Sequence, residues 1–84
     1  MTMKRIQWPD GVTAEAPTWG ELLEKLRLDP WNTMNALKFR FELRRRAEIA
    51  GGHRIPTHTV LLASAAKFVR ALAEAKLFTI VEDS

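Results

Sequence analysis

An α+β fold of order β-β-α-α-α-β follows from three features of this 84-residue chain. Apolar and polar residues alternate with period two on either side of Pro9-Asp10-Gly11. Helical periodicity fills the middle of the chain, and Leu77-Phe78-Thr79-Ile80-Val81 is β-branched and aromatic. The expected architecture is an N-terminal hairpin and a C-terminal strand in one small sheet, packed on two long antiparallel helices plus one short helix. The length suits one domain spanning residues 1–84.

Residues 3–16 predict the hairpin. Ile6 and Trp8 alternate with Arg5 and Gln7, and Val12, Ala14 and Ala16 with Thr13 and Glu15. The turn has a mechanism: Pro9 presets φ, Asp10 bonds nearby backbone and Gly11 accepts positive φ. Pro17 ends the second strand. Thr18-Trp19-Gly20-Glu21 then reads as a capping box that opens a short helix over 19–27, burying Leu22, Leu23 and Leu26.

Asp29-Pro30 has the chemistry of a second helix start, with Asp as cap and Pro at the first helical position. That helix is expected to reach Ala50, where Gly51-Gly52 supplies a left-handed stop. Pro56-Thr57 opens a third helix expected to reach Lys76. Its apolar stripe is Leu61, Leu62, Ala65, Phe68, Val69, Leu72 and Ala75, with Ser64, Lys67, Arg70 and Glu74 opposite. Residues 77–81 form the last strand, which needs the hairpin to satisfy its backbone. Trp8, Trp19 and Trp31 sit at element boundaries and are expected in the core.

Composition narrows the function classes. With no Cys there is no disulfide framework and no thiolate metal site. His53 and His58 lack the spacing of a zinc pair and have no third ligand, so no metal is expected. No apolar stretch approaches the ~20 residues needed to cross a bilayer, and Lys4 and Arg5 are followed by a turn, not by an apolar signal core. No membrane partner is expected, and the location is expected to be cytoplasmic. There is no Gly-rich phosphate loop, nucleophile elbow or histidine-and-acid arrangement, so neither enzyme activity nor a cofactor is expected.

The net charge of +3 is unevenly spread. Residues 31–54 hold six basic side chains (Lys38, Arg40, Arg44, Arg45, Arg46, Arg54) against Glu42 and Glu48, while the remaining residues are near neutral. On the second helix, Ala36, Phe39, Leu43, Ala47 and Ala50 form one stripe, the expected core face. Met34, Leu37 and Phe41 form a second apolar face. That second face is either covered by other elements or is a docking surface for a protein partner or a second copy, ringed by Arg40, Arg44 and Arg45.

The basic segment carries an alternative reading. Arg40, Arg44, Arg45, His53, Arg54, His58 and Lys67 suit nucleic-acid binding, because guanidinium forks match phosphates bidentately. The competing structural reading is a solvated helix face in which Glu42 pairs with Lys38, Arg45 or Arg46, and Glu48 with Arg44 or Arg45.

Two resemblances accompany these residues. Val69 to Phe78 resembles the end of a winged helix-turn-helix, where a recognition helix enters the first wing strand through an L-x-x-x-G-L sequence; Lys76 stands where that family has Gly. The opening Met3 to Gly11, the Ala- and Arg-rich body and the close Leu77 to Asp83 resemble small orphan proteins of actinobacterial phages. That resemblance implies action by binding a host or viral component, in the host cytoplasm, and assigns no site residue. The function expected from the sequence is a non-enzymatic binding or regulatory module.

Overall fold

The computed structural model describes residues 3–28, 35–52 and 54–83. The hairpin closes as its turn chemistry requires. Gly11 N–H donates to Trp8 O at 2.9 Å, Trp8 N–H donates to Val12 O at 2.8 Å, and the Asp10 carboxylate accepts from Val12 N–H at 3.0 Å. Gly11 has φ +93°, a conformation that a Cβ would oppose. The turn joins β1 (Lys4–Gln7) to β2 (Thr13–Ala16), with Ile6 opposite Ala14 and Arg5 opposite Glu15.

β3 (Thr79–Asp83) pairs antiparallel with the other edge of β1, so the strand order is β2-β1-β3. The strand lies two residues later than the expected 77–81, because Leu77 and Phe78 are buried in the turn before it. Its register steps once: Arg5 faces Glu82 while Ile6 faces Ile80, leaving Val81 as a bulge. The step keeps Ile80 on the same side as the fully buried Ile6 and sets an acid, not Val81, opposite Arg5. Arg5 therefore lies between two carboxylates, at 2.7 Å from Glu15 and 3.7 Å from Glu82. The hydrogen bond and charge of Arg5 hold the Glu15 carboxyl below its ordinary range. Lys4, and after it Arg70, does the same for Asp83.

Thr18 caps α1 (Trp19–Arg27), its hydroxyl accepting from Glu21 N–H at 3.1 Å. The helix buries Trp19, Leu22 and Leu23, with Leu26 partly covered. Trp19 Nε1–H is buried without an acceptor among the described residues. Trp8 is half-buried and Trp31 lies outside the described residues.

α2 (Ala36–Gly51) begins later than Asp29-Pro30 suggested. Asn35 is extended, and its side chain accepts from Lys38 N–H at 2.9 Å, so a fresh N-cap starts this helix. Asp29 and Pro30 lie outside the described residues. Phe39, Leu43 and Ala47 are buried, while Ala36 and Ala50 at the ends of the stripe are exposed. Gly52 takes the left-handed C-cap at φ +73°, as the Gly51-Gly52 pair predicts. Gly51 answers a different need. A Cβ there would stand 1.9 Å from the Ala75 carbonyl oxygen, so the end of α2 packs backbone to backbone.

The order β-β-α-α-α-β holds, with its third helix in two pieces: α3 (Thr57–Leu62) and α4 (Ala65–Glu74). One helix from Pro56 to Lys76 is thus corrected. Ala63 is extended at ψ 145°, and the Ser64 hydroxyl accepts from Lys67 N–H at 3.3 Å, which caps a new helix. α4 buries Phe68, Val69 and Leu72 completely. It ends in a Schellman arrangement: Leu77 N–H donates to Leu72 O and Lys76 N–H to Ala73 O, with Lys76 at φ +68°.

An Ala at an exposed helical glycine stabilises by about 1 kcal/mol. Gly51→Ala is expected to reverse that sign and destabilise by about 1–3 kcal/mol, because the methyl group meets the Ala75 carbonyl. Urea denaturation of the variant checks this, and unchanged or raised stability would show that the two helix ends separate freely.

Candidate functional site

The basic residues of α2 separate into two groups by what they touch. Arg40 and Arg44 lie one turn apart and face α3. Arg40 Nη1 donates to Val60 O at 3.2 Å and to Ala63 O at 2.9 Å, and its guanidinium carbon lies 5.0 Å from the Phe68 ring centre. These carbonyls are freed where the helix breaks, so the Arg40 guanidinium caps the C-terminal end of α3. Arg44 donates to the Thr57 hydroxyl at 3.0 Å, lies 4.9 Å from the Phe41 ring centre and approaches Glu48 at 3.9 Å. Arg44 thus meets the start of α3 and Arg40 its end. α3 therefore runs back along α2 in the opposite sense.

Arg45 and Arg46, joined by Arg54 from the loop beyond the helix, form the second group. Arg45 and Arg46 lie 3.7 and 3.4 Å from Glu42, and Arg54 lies 3.7 Å from Glu48. All three side chains are mostly exposed, and such surface pairs contribute little stability. His58 and Lys67 are exposed on α3 and α4; His53 lies outside the described residues. Two arginines of the nucleic-acid set, Arg40 and Arg44, are hydrogen-bonded to α3, and Arg44 and Arg54 both approach Glu48.

The apolar set divides as well. Leu37 is 47% exposed, Phe41 is half-buried against the core beneath Arg44, and Met34 lies outside the described residues. The more exposed apolar surface lies on α3, where sequence reasoning placed core residues: Leu61 is 48% and Leu62 82% exposed. The break at Ala63-Ser64 resets the helical phase, so the stripe through Ala65, Phe68 and Leu72 turns inward while Leu61 and Leu62 stay outside. The signal that could have found them was Ser64 read as an N-cap. Because Arg40 and Arg44 fasten α3 to α2, Leu37, Phe41, Leu61 and Leu62 sit on two adjoining elements.

Residues 35–41 carry Lys38 and Arg40 and no acid, and α3 itself carries none; next to them Glu42 and Glu48 pair with the arginines of α2 and with Arg54, and Asp83 pairs with Arg70. Among the described residues, no group of His, Cys, Asp and Glu could hold a metal ion, and no helix is long and apolar enough to cross a membrane. The protein matches no protein-family model, no curated protein and no solved structure.

If Arg40 is a structural clasp, Arg40→Met is expected to destabilise by about 1.5–3 kcal/mol, the range for hydrogen bonds made by a charged group. Arg45→Gln is expected to stay within about 0.5 kcal/mol of the parent. Thermal melts of the two variants check the contrast, and equal melting temperatures would remove Arg40 from the fold's support.

Proposed function

We propose that this protein is a small non-enzymatic binding module that docks a protein partner on the face shared by α2 and α3. The observation that carries the reading is the exposure of Leu61 and Leu62, at 48% and 82%, on a six-residue helix held from behind by two arginines. A short helix that presents leucines on a fixed base is suited to receive an apolar helical segment. The charge selects among occupants. α3 carries no acid, and Lys38, Arg40 and Arg44 lie beside it or beside Leu37, so a second copy of the same face would meet like charge, whereas an amphipathic helix flanked by acids would be attracted. Nucleic-acid binding draws less support, because Arg40 and Arg44 are already hydrogen-bonded within the protein.

Leu61→Asp combined with Leu62→Asp is expected to leave the fold intact, since neither side chain is buried, and to abolish docking. A photo-crosslinking residue at position 62 is expected to capture an acidic amphipathic segment that one at position 45 does not. Three results would contradict the reading: no adduct from position 62, a concentration-dependent dimer in sedimentation, or salt-sensitive DNA or RNA binding that falls when Arg45, Arg46 and Arg54 become Gln.

A further inference from the structure

Lys76 is the one non-glycine residue with positive φ among the described residues, at +68°. In that conformation the Cβ of any L-residue presses on its own backbone, and Gly sits there without the strain. The Schellman turn requires the conformation; nothing in the turn requires lysine. Lys76 is exposed and makes no ion pair among the described residues. Its charge therefore has no visible part in holding the fold.

The same residue lines a surface cleft of about 510 Å³ at the turn end of the sheet. Trp8 and Phe78 form one wall, edge to face with ring centres 5.3 Å apart at 89°. Gln7 and Thr79, directly opposite one another on β1 and β3, bring polar side chains to it, and Ile80 adds an apolar surface. No acid lines it, and Lys76 is its only charged residue. The size falls within the usual range for small-molecule sites of about 300–1,000 Å³, and the lining combines polar side chains with apolar ones.

We infer that this cleft binds a small aromatic carboxylate, its ring against Trp8, which the buried Phe78 backs edge to face, and its carboxylate on the Lys76 ammonium. Ring packing prefers edge and offset geometries, and the half-buried Trp8 leaves ring surface open to them. A charge-assisted hydrogen bond from Lys76 fixes the anion, and Gln7 and Thr79 supply further donors. The strain at Lys76 is then retained for the ligand although it lowers stability. This site shares no residue with the α2–α3 face and stands independently of it.

The test titrates 3-phenylpropionate into the folded protein and follows backbone amides by two-dimensional NMR. Saturable shifts are expected at Gln7, Trp8, Phe78, Thr79 and Ile80, with at least tenfold weaker binding of neutral 3-phenylpropanol, roughly the weight of one charge-assisted bond. Lys76→Gly is expected to do two opposite things: weaken phenylpropionate binding about tenfold and raise the melting temperature by about 4–8 °C. Lys76→Arg is expected to keep the binding and show no such rise. The inference is overturned if those amides do not shift saturably, if acid and alcohol bind alike, or if Lys76→Gly binds phenylpropionate as the parent does.

Discussion

β1 is paired on both edges, and its second partner comes from the far end of the sequence. Lys4 and Asp83, 79 positions apart, meet at 2.7 Å. Closing so long a loop costs entropy, but the cost grows only with the logarithm of length. The closure leaves the central strand with no free edge and seals Ile6 between the sheet and the helices. The short edge strands β2 and β3 carry charge at the outer face through Glu15 and Glu82, which discourages further strands from adding. The helices depend on this closure. α4 leads directly into β3 through the strained turn at Lys76, and α1 follows β2 after only Pro17 and Thr18.

Within the helical layer a cation has taken the place of a longer helix. A continuous third helix would satisfy its own carbonyls, and the break at Ala63 frees them. Arg40 takes over that role from α2, with its guanidinium against Phe68. The result is a short helix whose inner side buries Val60 and whose outer side shows two leucines. The basic residues that most invited a phosphate-binding reading are thus the ones that create the apolar face. Charge density along a sequence counts the donors; it does not say where the hydrogen bonds go.

The parts of the fold legible in the sequence were those decided by neighbouring residues. Pro9-Asp10-Gly11, Thr18 with Glu21 and Gly51-Gly52 each carry local chemistry that fixes a turn or an end, and each sits where that chemistry puts it. The helix break was hidden because the apolar spacing runs through Leu61, Leu62, Ala65 and Phe68 without an obvious fault, and a lone Ser64, although it favours an N-cap, is also found within helices. The role of Arg40 was hidden for a different reason, since it exists only where α3 ends beside α2. Likewise the two-residue offset of β3 reflects Leu77 and Phe78 being drawn into the core by the Schellman turn. The cleft at Trp8 joins residues from both ends of the sequence, and no local pattern announces it.

Native-state hydrogen exchange of the β3 amides tests this closure most directly. If the pairing of β3 on β1 holds the domain together, the amides of β3 that bond to β1 exchange only through global unfolding. Their free energies of opening then equal the stability measured by denaturant and match those of the amides in α4. Exchange of β3 at a free energy well below the global value, with α4 still fully protected, would show that the strand detaches while the rest stands, and would contradict the account.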